Sequence, residues 1–243
     1  MDNSKNLSAN LIEIFSSVQG EGKYLGYRQI FVRLAGCNLN CAYCDTNFKS
    51  TELCNVENNF IKNPVEVPQA VEIIKNLNSK CPVHSVSFTG GEPLLHWKFI
   101  GEVAKILKSF GLKIFLETNG ILFNELEKIS DCVDIVSMDI KLPSVIDENF
   151  FAYHKKFLKI AAKKDLYVKI VISAETSDEE FDAAINLIAE TSPEILLIFQ
   201  PVTPVGKIQA ADAEKILSLQ ARALKILKNV RVIPQTHKLI NVR

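Results

Sequence analysis

Residues 29–46 read QIFVRLAGCNLNCAYCDT. The first six (29–34, QIFVRL) are largely apolar and β-branched or aromatic, the composition of a strand covered on both faces. From Gly36 onward the chain becomes a polar loop carrying three cysteines. The same succession, a buried strand and then an unusual polar loop, recurs downstream. Residues 85–88 (SVSF) run into TGGEP, 113–117 (KIFLE) into TNG, 134–138 (DIVSM) into DIK, and 195–199 (ILLIF) into QPVTP. Residues 167–172 (YVKIVI) form a sixth run of this kind.

Helical periodicity fills the gaps. Residues 67–77 follow Pro64 and place Val71, Ile74 and Leu77 on one face. Residues 98–110 stop at Gly111, a good C-terminal signal. Residues 147–164 and 177–190 come next, the latter opening S-D-E-E, a capping-box pattern. Residues 210–228 give the longest pattern and 122–128 the least marked. Alternating strands and helices make right-handed βαβ units around a parallel sheet. Six units fit 243 residues. The expected fold is therefore α/β: a partial (β/α)6 TIM-like barrel, one domain over residues 1–243, with short N-terminal (11–15) and C-terminal (230–234) extensions. An open doubly wound sheet is the alternative. Either way, active sites are built from loops at the carboxyl ends of the strands, where these motifs fall, and the pattern predicts an enzyme.

Composition narrows the class further. Apolar residues make up 47% and charged residues 23%, which excludes wholesale disorder. Lys+Arg and Asp+Glu both total 28, so the chain lacks the basic surplus of a non-specific nucleic-acid binder, and no nucleic-acid partner is expected. No apolar run reaches the about 20 residues of a membrane span. The start, MDNSKNLSANLIEIF, carries no apolar block of signal-peptide kind, so the expected location is the cytoplasm.

Six cysteines stand at 37, 41, 44, 54, 81 and 132. The spacing Cys37-x3-Cys41-x2-Cys44 reads as a metal site in a reducing compartment. Thiolates suit zinc or iron–sulfur clusters. Three fall one short of the usual four-thiolate shell. Either a distant cysteine completes the shell, or one position stays open to a ligand. A structural zinc knuckle, with Cys54 as fourth ligand, is the competing reading. Cys54, Cys81 and Cys132 otherwise read as ordinary thiols.

A C-x3-C-x2-C loop after the first strand, with Tyr43 before its last cysteine, resembles the radical S-adenosylmethionine (SAM) superfamily. The resemblance implies that Cys37, Cys41 and Cys44 hold a [4Fe–4S] cluster whose fourth iron chelates SAM. It implies reductive cleavage of SAM to a 5′-deoxyadenosyl radical. It also implies a partial barrel of about six βα units, in agreement with the alternation above. Further loops resemble the superfamily's cofactor-binding motifs: Gly91 and Glu92 in GGEP, Asn119 in ETNG, Ser137, Met138, Asp139 and Lys141 around DIK, and Gln200 after the sixth strand. With Tyr43 these are the expected SAM ligands.

The stretch 13–46, EIFSSVQGEGKYLGYRQIFVRLAGCNLNCAYCDT, together with QTHK at 235–238, closely resembles the 7-carboxy-7-deazaguanine synthase family. That implies conversion of 6-carboxy-5,6,7,8-tetrahydropterin to 7-carboxy-7-deazaguanine with loss of ammonia, on the route to queuosine and other 7-deazapurines. It implies Mg²⁺ beside the cluster and SAM, a flavodoxin- or ferredoxin-like electron donor, and a homodimer. The substrate ligands it suggests are Val18, Gln19, Gly20, Glu21, Arg33, Thr89, His237 and the last residue, Arg243. The chemistry of these residues agrees. Arg33 offers a fork for the substrate carboxylate, Gln19 and Glu21 can pair with the planar pterin edge, and the Thr46 hydroxyl suits Mg²⁺. His84, His96 and His154 read as strand-edge or surface residues. A glycyl-radical activating enzyme would share the cysteine spacing, but it would leave QGEG and QTHK without a role.

Overall fold

In the computed structural model, which describes residues 7–242, all six expected runs are parallel strands, and the sheet grows past them at both edges. Two short strands, β1 (Ser8–Ala9) and β6 (Val65–Glu66), pair with each other. The main sheet contains β2 (Leu11–Val18), β3 (Arg28–Leu34), β4 (Leu53–Val56), β5 (Asn59–Lys62), β7 (Ser85–Gly90), β8 (Ile114–Thr118), β9 (Ile135–Asp139), β10 (Asp165–Ile172), β11 (Leu196–Pro201) and β12 (Val230–Val232). Their order is β12-β11-β10-β9-β8-β7-β3-β2-β4-β5. From β3 to β12 every neighbouring pair is parallel, and the order follows the chain. Each crossover thus moves one strand along in the same direction. That is the winding of a barrel; a doubly wound sheet reverses at a switch point. The strip ends at β12 and β5, so the barrel is partial.

The helices are α1 (Val67–Lys80), α2 (Trp97–Ser109), α3 (Phe123–Ile129), α4 (Pro143–Ile146), α5 (Phe151–Ala161), α6 (Asp178–Thr191), α7 (Ala213–Ala223) and α8 (Thr236–Leu239). No helix among the described residues is long and apolar enough to cross a membrane. The capping box forms as read: the Ser177 side chain accepts from the Glu180 amide, and Glu180 accepts from the Ser177 amide. Three expectations need correction. The helix expected over 147–164 shortens to α5: Asp147 takes a left-handed conformation (φ 56°) just after α4, and the helix runs only from Phe151 to Ala161. The 210–228 helix shrinks to α7, opened by Asp212, whose carboxylate accepts from the Lys215 amide at 2.7 Å. The C-terminal extension is a seventh parallel strand, β12. The β4–β5 hairpin was not anticipated. Its two-residue turn places Glu57 and Asn58 at φ 49° and 69°, the primed geometry hairpins favour. The polar E-N-N stretch was the available signal.

Alternation along the strands sorts side chains into two apolar layers. Leu116, Val136, Val168, Leu197 and Phe199 face the helices in the large outer core. Phe115, Ile135, Tyr167, Leu196 and Ile198 face inward and fill the barrel floor, where Tyr24 packs against them. Two residues further along, the inward positions turn polar: Glu117, Ser137, Lys169 and Gln200. The floor is apolar and the upper barrel polar, and this gradient positions the site.

Candidate active site

The polar inward positions open into a cavity of about 560 Å³ at the carboxyl ends of the strands. The cysteine loop after β3 forms one wall. Cys37, Cys41 and Cys44 all line the cavity, and the loop is tightened by the Cys44 amide donating to the Cys41 carbonyl at 3.0 Å. The three thiols do not converge on a point. Among the described residues, no three His, Cys, Asp or Glu side chains close around a single ion. A zinc knuckle requires that convergence, and Cys54, its suggested fourth ligand, is buried on β4. An iron–sulfur cubane instead takes one thiolate per iron, so the donor set fits a cluster with one iron left open. Burial pushes the Cys37 thiol up and that of Cys41 up to about 11. Metal loading must therefore displace protons.

The GGEP turn leans directly on this loop. The Glu92 amide donates to the Gly36 carbonyl at 2.9 Å. A Cβ on Gly91 would collide with that same carbonyl oxygen, so only glycine permits the approach. Asn119 at the tip of β8 reaches the loop from the other side, its amide donating to Asn38 Oδ1 at 2.8 Å. Ser137, Asp139, Lys141, Tyr43 and Gln200 also line the cavity, as expected. Lys141 pairs with Asp139 at 2.8 Å and lies over the Tyr43 ring at 5.1 Å. Asp139 Oδ1 and Gln200 Oε1 are buried acceptors without a protein partner. Buried polar atoms are rarely left orphaned, and the ammonium, hydroxyl and amino groups of SAM are complementary donors.

Two expected cofactor ligands do not reach the cavity. Glu92 is fully buried. Its Oε1 accepts from the Leu94 amide (3.0 Å) and Thr118 Oγ1 (2.8 Å), and its Oε2 accepts from the Asn119 amide (2.8 Å). Burial pushes this carboxyl up to about 7, against those three bonds. Glu92 thus clamps the GGEP turn to the end of β8 and positions Asn119. Met138 points outward into the core against Gly120, because it alternates with inward Ser137 and Asp139.

The Q-G-E-G loop joins the end of β2 to the start of β3 and lines the same cavity as the cysteines. Val18, Gln19, Gly20, Glu21, Arg33, Thr46, Thr89 and His237 all line the same cavity, while Arg243 lies outside the described residues. Several are already committed within the protein. The Gln19 amide donates to Glu117 (2.8 Å) and Gln29 (3.0 Å), and its Oε1 accepts from the Glu21 amide. Thr89 Oγ1 donates to Glu117 Oε2 at 2.8 Å, so Glu117 joins the β7 tip to the Q-G-E-G loop. Arg33 pairs with Glu13 at 2.9 Å. The C-terminal segment straps across the top. The Thr236 amide and hydroxyl donate to the Gly20 carbonyl, Gln235 donates to Glu21 Oε1 at 2.9 Å, His237 lies against Gly20, and Lys238 pairs with Asp45 at 2.6 Å.

Sequence reasoning assigned no role to Glu117, Gln235 or Lys169. Lys169 lies inside β10 and forms a short ion pair with Glu21. Burial pushes the Glu21 carboxyl up, but the Lys169 charge and hydrogen bond outweigh it and hold it down at about 2. The signal was a lysine at an inward position of an otherwise apolar strand. Of the three histidines expected at strand edges or the surface, His154 is the one that changes, while His84 directly precedes β7 and His96 is partly exposed. His154 is fully buried on α5, its Nε2 against the Asn119 carbonyl at 3.1 Å. His96 Nε2 meets the Ala35 carbonyl at 2.7 Å, and His84 packs between Tyr24 and Tyr27.

Comparison with known proteins gives concordant results. The Radical SAM superfamily model matches residues 31–188. The 7-carboxy-7-deazaguanine synthase of Geobacter sulfurreducens is 40% identical over 241 residues, covering 95% of this chain and 96% of its own. That of Methanocaldococcus jannaschii is 39% identical, covering 95% and 98%. Among solved structures, QueE from Escherichia coli superposes with a TM-score of 0.64 over 96% of each chain at 19% identity, a likeness of fold.

Proposed function

The chain belongs to the radical SAM superfamily and, within it, to the 7-carboxy-7-deazaguanine synthases, and from that membership we propose how its residues divide the work. The enzyme is a radical SAM lyase of 7-deazapurine biosynthesis, the pathway that includes queuosine. It converts 6-carboxy-5,6,7,8-tetrahydropterin to 7-carboxy-7-deazaguanine with loss of ammonia. One observation carries the assignment of parts: the three cysteines and the Q-G-E-G loop line a single cavity. When bound, a [4Fe–4S] cluster and SAM supply one-electron hydrogen abstraction, which no side chain offers.

Cys37, Cys41 and Cys44 hold the cluster. Asn119, Ser137, Asp139, Lys141 and Gln200, with Tyr43 and Gly91, cradle SAM; the orphaned acceptors on Asp139 and Gln200 support this side. Glu21 accepts from the pterin's amino edge, Arg33 takes its carboxylate, and Thr89 and His237 border the ring. Thr46 would offer its hydroxyl to a Mg²⁺ ion at the substrate, supported by its place in the cavity lining. The Q-G-E-G loop and the strap, bonded to each other through Gly20 and Glu21, wall the cavity and limit water at a reactive site. The reading takes residues 1–243 as one domain of a cytoplasmic homodimer, reduced by a flavodoxin- or ferredoxin-like donor.

The test is anaerobic. The protein is reconstituted with iron and sulfide, then given reductant, SAM, Mg²⁺ and 6-carboxytetrahydropterin. Mass spectrometry is expected to find 7-carboxy-7-deazaguanine only when SAM is present. SAM cleavage without that product would overturn the substrate, and a colourless zinc protein would overturn the cluster. Thr46→Ala is expected to weaken the Mg²⁺ dependence of the rate. An unchanged Mg²⁺ titration would remove Thr46 as a ligand. Sedimentation velocity tests the dimer.

A further inference from the structure

Strand β10 carries no motif at its tip, yet it contributes a ladder of inward side chains to the site. From the floor upward these are Asp165, Tyr167, Lys169 and Val171. Asp165 accepts hydrogen bonds from Tyr24 and Lys23, at the far end of the Q-G-E-G loop. Tyr167 lies against Gly22, where a Cβ would overlap its hydroxyl. Lys169 donates to Glu21 Oε2, and Val171 reaches the cavity wall. The loop is thus pinned to one strand at successive rungs, with Lys169 the rung that touches a substrate ligand.

We propose that Lys169 is a positioning residue of this reaction: it fixes Glu21 in place and keeps it a pure hydrogen-bond acceptor for the pterin, an assignment that rests on reading Glu21 as a substrate ligand.

The pyrimidine edge of the substrate presents a ring N–H beside an amino group, two donors side by side. A carboxylate matches that pair, because it only accepts and has about four lone-pair sites. Glu21 spends one site on Lys169 and one on Gln235, and two remain. A protonated carboxyl would turn one oxygen into a donor facing a donor. Glu21 is therefore useful only while it is charged, and burial works against that charge. Lys169 supplies the opposing charge. The groups facing Glu21 are Lys169 and the Tyr167 hydroxyl from β10, His237 and Gln235 from the strap, Glu117 from β8 and Asp139 from β9. Lys169 makes the nearest charged contact. Its own ammonium tolerates burial because Glu21, Asp139 (3.8 Å) and Glu117 surround it. Through Asp139, which also pairs with Lys141, the substrate side meets the cofactor side.

The experiment uses the reconstituted holoenzyme with Lys169→Met, Glu21→Gln and the double variant. Lys169→Met is expected to raise the KM for 6-carboxytetrahydropterin about tenfold or more, the scale of a lost charge-assisted hydrogen bond. SAM affinity without pterin should stay within about twofold, which general damage to the fold would not allow. The KM of the variant should rise further as pH falls from about 8 to about 6, while the wild-type KM stays flat, because Glu21 then begins to protonate. Glu21→Gln should raise KM with no such pH dependence. The double variant buries no unpaired charge, and its KM should match that of Glu21→Gln, because Lys169 acts through Glu21. A wild-type, pH-independent KM in Lys169→Met would overturn the proposal. So would a double variant whose KM exceeds that of Glu21→Gln by another about tenfold. If Glu21→Gln itself leaves KM unchanged, the reading of Glu21 as a substrate ligand fails instead.

Discussion

Single side chains carry the chemistry, and their environments set what each loss should do. Cys41 is only partly buried, in a loop outside the strands, so Cys41→Ala should cost the apo-protein no more than about 1 kcal/mol. The same change should abolish cluster assembly after reconstitution. Iron analysis and the visible absorption band check this, and a fully loaded brown variant would refute the ligand assignment. Arg33 pairs with Glu13 while lining the cavity. Arg33→Ala should raise the pterin KM about tenfold or more with little change in kcat, the signature of lost uniform binding. Equal KM values would show that the carboxylate is held elsewhere. The sequence exposed these residues because their motifs are contiguous. It left Lys169 and Glu117 without roles because each lies within a strand, and its meaning depends on which face of that strand looks inward.

At the level of elements, local code and structure agree where local interactions dominate. The capping box of α6 was readable as S-D-E-E because its partners are three residues apart. Its Glu180 does more than cap: its Oε2 also accepts from the Ser144 amide at 2.8 Å, tying α6 to α4. Ser177→Ala should cost about 1 kcal/mol, and Glu180→Ala should cost more, because the Ser177 and Ser144 amides then both lose their acceptor. Urea denaturation of the two variants checks the order, and equal losses would show that the α4 contact contributes nothing. The β4–β5 hairpin escaped because its strands are short and half-exposed, without the apolar run that marked the other six. The helix expected over 147–164 starts late, at Phe151, because the backbone at Asp147 turns left-handed, which apolar spacing does not reveal.

At the scale of the whole molecule, the packing of α5 on the barrel makes stability depend on pH. Burial holds His154 down at about 4, well below its ordinary range. The folded state therefore binds fewer protons at this site than the unfolded chain does. The stability His154 confers is fully present above its unfolded value of about 6.5 and is lost as pH falls towards about 4. Between about pH 7.5 and about pH 5 the loss should be about 2 kcal/mol. His154→Gln should remove this part of the acid sensitivity, as measured by denaturation at the two pH values. An identical pH dependence in the variant would show that His154 titrates normally. By itself the sequence determined the six parallel strands, the strand-end position of the candidate site, the three-cysteine motif and the family. All of these rest on periodicity, spacing and contiguous motifs, which are local along the chain. Tertiary structure alone decided that Glu92 turns into the wall and that His154 is buried. It alone decided that Lys169 meets Glu21 across 148 residues and that Gln235 meets Glu21 across 214. Such meetings depend on strand register, barrel curvature and where the last segment crosses the mouth. No local pattern carries that information, because it arises only when distant strands close around a shared interior.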